Sequence, residues 1–246
     1  INDFDNRMKL SNALLFTSSK TKKDEFTDLE KYKGNMKDSQ KEIYYVSGTD
    51  VASIEKNPSL EIFKKNDIEV LYLTDPIDEF VFEHLREYDK TKFKLIESSD
   101  IDLEKPAGSD QDEGSLKDLN NFIGYLKTIY GDKIEKIEIS KRLVNSPCIL
   151  LNPSDGPSVQ MEKVMKMINK EYAFSKRVFE VNPDHKLIKQ LVNIHKADPA
   201  SDYLKKISLQ LLDNLILREG VFDNFDEMVE RINDIMLKAA ENIGKQ

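Results

Sequence analysis

Three short runs rich in β-forming residues, KEIYYV (41–46), IEVLYL (68–73) and KFKLI (92–96), are separated from one another by helical sequence. Nothing else constrains the fold as much. Strands joined through helices run parallel, because the helix carries the chain back to the starting edge, and such crossovers are right-handed. We therefore expect a small three-layer parallel α/β/α domain. The intervening helices carry start signals. Thr27 and Glu30 stand at capping-box spacing, and Ser47-Gly48-Thr49-Asp50 is a turn-and-cap sequence. Asn57-Pro58 and Asp75-Pro76 each put a capping residue before a proline at the first helical position. Asp78 and Glu79 then fall in a first turn, where the helix dipole favours acid. Residues 3–16 read as a further helix, followed by a basic surface loop.

From Ser98 to Gly114 the sequence becomes acidic and irregular, SSDIDLEKPAGSDQDEG, which reads as a linker or mobile loop. The spacing of Asp100, Asp102 and Glu104 faintly resembles a calcium loop. Lys105 stands where such a loop needs glycine and Gln111 where it needs glutamate, so calcium is rejected. A new domain follows. Ser115 reads as the cap of a helix whose stripe is Leu116, Leu119, Phe122, Ile123, Leu126 and Ile129, stopped by Gly131. Strands are expected at 136–140, 148–151 and 177–181. Asn182-Pro183 reads as the start of a helix with Leu187, Ile188, Leu191 and Val192 inward, and two longer helices, 202–218 and 224–243, close the chain. The class is α/β (α+β overall), the second domain being mixed α/β and ending in a helical hairpin.

Within PCILLNPSDGPSVQMEKVMKMI (147–168), an apolar strand leads through a turn into a helix on which Met161, Val164, Met165 and Ile168 form one stripe. Such a stripe is ordinarily core. Methionine, unbranched and polarizable, also suits a surface that accepts many partners. The last two helices pose a similar question. Tyr203, Leu204, Ile207, Leu211, Leu212, Leu215 and Ile216 make one broad surface; Phe225, Met228, Val229, Ile232, Ile235, Met236 and Ala239 make a second near heptad spacing. A hairpin buries one seam, and these helices are apolar over more than one. Either the rest of the domain covers the surplus or a second copy does. We expect a homodimer, with Leu211, Leu212, Leu215, Ile216, Met228, Ile232, Ile235 and Met236 in the interface.

Catalytic patterns are missing. There is no GxxxxGK[ST], GxGxxG or GxSxG, and the single glycine of Ser47-Gly48-Thr49 is a weak anion signal. His84, His185 and His195 lie on three different predicted helices without ligand spacing, so no metal is expected. The single cysteine, Cys148, reads as an inert buried thiol. A net charge of -8 argues against nucleic acid, and no apolar run approaches a membrane span. The residues alone indicate a cytoplasmic binding or assembly module. The runner-up is a small parallel α/β enzyme domain fused to a helical oligomerisation domain.

EIYYVSGTD (42–50), EVLYLTDPIDEF (69–80), RLVNSPCILL (142–151), VQMEKVMK (159–166) and FEVNPDH (179–185) resemble the heat-shock protein 90 chaperones in order and spacing, as do DNRMKLSNALLF and YKGNMKDSQ. The resemblance covers essentially the whole chain. It implies the end of the family's middle domain over 1–100, an acidic linker over 101–114 and the C-terminal dimerisation domain over 115–246. The ending Gly244-Lys245-Gln246 lacks the acidic tail of eukaryotic cytosolic members, and the charged linker is short, so the similarity is to the bacterial, high-temperature protein G type. ATP and magnesium would belong to an N-terminal domain outside this sequence, a piece of a longer protein that begins at Ile1 with helical sequence under way. The resemblance thus carries over no catalytic residue and no cofactor. It implies unfolded client proteins as partners, with contacts at Met161, Val164 and Met165 and at an exposed acidic–aromatic pair, Glu79 and Phe80. Many relatives have tryptophan near the start of the methionine helix; here Pro157 stands at or beside that position, and the chain has no tryptophan.

Overall fold

The computed structural model describes residues 10–101, 103, 113–154, 156–221 and 224–243. The calcium-like positions 102, 104, 105 and 111, most of the acidic linker and residues 3–9 of the expected first helix lie outside them. By contact the chain forms two compact units. One gathers Ile1–Lys105 with Asn152–Ser175, the other Pro106–Leu151 with Lys176–Gln246. The segment that holds the methionine helix thus packs with the first unit, although by position it interrupts the second.

The first unit has a five-stranded sheet. Its strands are β1 (Thr17–Ser18), β2 (Glu42–Ser47), β3 (Leu71–Leu73), β4 (Glu87–Tyr88) and β5 (Thr91–Leu95), in the order β1-β3-β2-β5-β4. The predicted strands form its centre, β2 pairing in parallel with both β3 and β5. Two antiparallel edges complete it, β1 on β3 and β4 on β5. These edge strands have two residues each, too short to show alternation.

Helices α1 (Leu29–Gly34), α2 (Val51–Glu55), α3 (Leu60–Lys65) and α4 (Pro76–Leu85) connect them. The sheet is covered on both faces because β2 alternates. Tyr44 and Val46 enter a cluster with Ile54, Leu60 and Phe63, while Ile43 and Tyr45 enter another with Phe16, Leu29, Tyr32 and Phe82. Phe82 centres the second cluster, its ring 4.2 Å from Phe93 and 5.2 Å from both Phe16 and Tyr45.

Two start signals resolve one or two residues past the predicted cap, and a third holds. Asp28, not Thr27, caps α1, its Oδ1 accepting from Lys31 N at 2.7 Å. Pro58 lies in a turn, and α3 begins after Ser59, two residues past Asn57. Asp75 caps α4 as expected, accepting from Ile77 N at 3.0 Å. Of the helix predicted over 3–16, the described part keeps only Leu10 and Ser11; Phe16 is instead bridged to Thr27.

The second unit has strands β6 (Ile134–Ile139), β7 (Cys148–Leu151) and β8 (Arg177–Val181), ordered β6-β8-β7, with β6 parallel and β7 antiparallel to β8. Around them lie α5 (Glu113–Tyr130), α7 (Lys186–Ala197), α8 (Asp202–Glu219) and α9 (Phe225–Ile243); α6 (Val159–Ile168) belongs to the first unit. Ser115 lies within α5 and does not cap it. Gly131 leaves that helix at φ +53°, a conformation that favours glycine. His185 caps α7 through Nδ1, which accepts from Leu187 N at 3.1 Å. Asn182 instead ties back to the Ser146 carbonyl, and Leu187 faces outward.

Every residue of β8 is buried, including Arg177 and Glu180. Both charges are answered: Arg177 Nε lies 3.4 Å from Glu219, and Glu180 faces Arg142 at 3.4 Å while accepting from Ser140 Oγ at 2.7 Å.

Candidate functional site

Ser158 sets the start of α6. Its Oγ accepts from Met161 N at 3.0 Å, capping the helix, and donates to Glu79 Oε2 at 2.5 Å. Before it, Asn152 is held by Glu97 and Ser99 through backbone bonds of 2.8 and 3.0 Å. After the helix, the buried Glu162 accepts from Ser175 N at 2.8 Å and from the Tyr172 hydroxyl at 3.3 Å, folding the following loop back.

Burial on α6 runs along its axis, not around it. Val159, Met161 and Glu162 are buried, Val164 and Met165 are half-buried, and Met167 and Ile168 stand 79% and 80% exposed. Met161 and Ile168 share one stripe and have opposite environments. Met161 is packing; the accessible apolar surface is the last turn. A periodicity argument sees only the face, so it missed Met167. The signal that could have found it is the polar sequence Asn169-Lys170-Glu171 directly after the helix, with nothing apolar to cover its end.

Glu79 is not exposed. It is 6% accessible, and only Phe80 beside it is half-open. The reason is the direction of α4, which turns the Glu79 carboxylate toward Ser158 and Ser47. Burial pushes its pKa above the usual carboxylate range, the Ser158 and Ser47 hydroxyls pull it back, and Glu83 adds to the rise. Ser47 Oγ and Glu79 Oε1 are both buried without a hydrogen-bond partner.

The residues expected to pair two copies divide sharply. Leu211, Leu212, Leu215 and Met228 are buried in the second unit, and Ile216 packs against the same core. The three-stranded sheet is narrow, so α5, α7 and α8 together close one side of it and α8 is spent on that task. Ile232 and Ile235 are half-exposed and Met236 is 63% exposed. With them Phe225, Val229, Leu237 and Ile243 lie open. Positions 225, 229, 232, 236, 239 and 243 step by four and three, the spacing of a coiled-coil seam. Among the described residues of the last two helices, the uncovered seam is on α9.

No group of three or more His, Cys, Asp or Glu among the described residues could hold a metal ion. His84 bonds the Phe80 carbonyl at 2.7 Å, His185 is a helix cap, and His195 leans on Phe122 and Tyr125. Cys148 is buried, and burial pushes its thiol up to about 12. No described helix is long and apolar enough to cross a membrane.

The family model described as Hsp90 protein matches residues 1–246. Among curated relatives, the chaperone protein HtpG of Chlorobium luteolum is 38% identical over 235 residues, covering 95% of this chain and 37% of that protein. HtpG of Chlorobaculum tepidum is 36% identical over 245 residues, 98% of this chain and 38% of the relative. HtpG of Geobacter metallireducens is 35% identical over 222 residues, covering 89% and 34%. The chain spans between 34% and 38% of the length of these relatives.

Proposed function

The chain belongs to the Hsp90 family, and on that premise we propose that it is the client-holding and pairing portion of a chaperone whose nucleotide chemistry lies in sequence outside it. This displaces the enzyme-domain alternative. The observation that carries the reading is that apolar helix surface is left open at two places of different build. The α6 end offers Met167 and Ile168, a small flexible patch of the kind that repacks against varied unfolded segments. The α9 face offers a long, regular seam, which suits one fixed partner; a second copy supplies the identical seam across a two-fold axis. Pairing also doubles the client patches within one assembly and raises their effective concentration.

Phe80 and Met165, both half-buried, and Val164 border the α6 reading; Met161 and Glu79 support it from inside. ATP and magnesium belong, on this reading, to the N-terminal part of the whole protein. The test pairs two measurements on the 246-residue chain. Sedimentation at micromolar concentration should give a dimer, and the chain should slow aggregation of a heat-denatured reporter enzyme without ATP. A monomer that leaves aggregation unchanged refutes the reading.

A further inference from the structure

Glu79 is a buried carboxylate with no cation against it among the described residues, and it shares its hydroxyl donor with a helix cap. Ser158 Oγ has one proton, given to Glu79 Oε2, while its lone pair takes the Met161 N–H. The α6 cap and the carboxylate therefore stand or fall together. Two orphan atoms remain beside them, Glu79 Oε1 and Ser47 Oγ, both buried and without hydrogen bonds. An ionised carboxylate in that position is poorly solvated. The Ser47 hydroxyl could donate to an ionised Oε1 and offset part of that cost, but no cation among the described residues answers the charge, and burial leaves the neutral acid favoured.

We propose that Glu79 is a proton-operated latch on α6: when protonated it holds the helix start against α4 and keeps Val159 and Met161 covered, and when ionised it loosens that contact. The surroundings favour this. On α4, Glu83 pushes against the ionised form, and Asp75 and Asp78 add further negative charge to the same helix. On β2, Ser47 and Tyr45 are nearest, the Tyr45 phenol being held neutral by burial and by Glu79 itself. On α6, Glu162 is committed to Tyr172 and Ser175.

Burial raises the Glu79 pKa in the docked helix, so docking takes up a proton. Docking is then strongest below the ordinary glutamate range and weakens as pH rises through the docked value. Its equilibrium falls by up to about tenfold per pH unit before levelling. The docking of α6 bears on clients only on the reading given above, in which it carries Met167 and Ile168, but the latch is measured without any client.

The experiment is amide hydrogen exchange of the 246-residue chain from pH 5 to 8, corrected for intrinsic rates, comparing α6 with α8 as an internal reference. The expected result is α6 protection that falls with pH by up to about tenfold per unit, flat α8 protection, and no slope in Glu79→Gln. Flat α6 protection in the wild type overturns the latch even where Glu79→Gln does not fold. An unchanged slope in Glu79→Gln assigns the proton elsewhere and overturns it too. Aggregation suppression measured alongside separates the two ideas, since flat exchange with intact suppression removes only the latch.

Discussion

Arg231 of α9 donates through Nη2 to the Asp213 carboxylate of α8, and the two side chains are only 14% and 8% exposed. This contact fixes how α9 is turned about its own axis. Asp213 is stationary because its neighbours Leu211, Leu212 and Leu215 are sunk in the core. With Arg231 tied inward, and Lys206 bonded to Asp234 at 2.7 Å, the positions 225, 229, 232, 236, 239 and 243 are left outward. The open seam follows from a buried ion pair.

Breaking that pair by Asp213→Ala leaves Arg231 buried and unanswered, its Nε already lacking a partner. The expected loss is about 3–5 kcal/mol of stability, read as a lowered denaturation midpoint at unchanged slope. The double replacement Asp213→Leu with Arg231→Met should recover most of it, since apolar residues of similar volume carry no desolvation cost. A double variant no more stable than Asp213→Ala contradicts the account.

Val229→Asp with Met236→Asp should give a folded monomer by sedimentation, because both sites are 49% or more exposed and the charges meet water once the copies part. Leu212→Asp should behave differently. That side chain is fully buried in its own unit, so a carboxylate there should abolish the cooperative unfolding transition. If Leu212→Asp yields the folded monomer and the α9 variant stays paired, the seam lies on α8.

The parallel centre of the first sheet was legible because β2, β3 and β5 each carry enough β-forming residues to declare themselves. The Hsp90 likeness was legible from whole phrases such as EVLYLTDPIDEF. Burial along a helix was not. Met161 and Ile168 are equivalent in period, and only the packing of Ser158 against Glu79 separates them. Leu212 and Met236 are likewise equally apolar in sequence; the narrow sheet that consumes α8 is a tertiary fact. His185 replaced Asn182 as a cap because Asn182 found the Ser146 carbonyl, a partner 36 residues away.

Cys148 offers a probe of the second unit. It packs beside Tyr130 and Phe179, and burial holds its thiol near 12, so almost no thiolate forms at pH 8. Alkylation of the native chain at that pH should proceed at the rate of unfolding and be slowed by anything that stabilises the unit. Asp213→Ala should speed it. Rapid stoichiometric labelling of the wild type contradicts the buried placement.

The two ends of α6 should separate holding from folding. Removing Met161 takes a side chain from a covered site that includes Val159 and the Ser158 cap, so Met161→Ser should cost about 2–5 kcal/mol through lost burial and the cavity left behind. Met167→Ser with Ile168→Ser removes side chains that are already 79% and 80% in water, so stability should stay within about 0.5 kcal/mol of wild type. Aggregation suppression should move the opposite way. Each apolar side chain fully buried by a client contributes about 1.5–3 kcal/mol, so losing both weakens holding by up to about two to four orders of magnitude per patch. Denaturation midpoints and the concentration needed for half-suppression, taken on the same preparations, decide it. Should Met161→Ser abolish holding at full stability while the double variant holds normally, the client surface is the start of the helix and not its end.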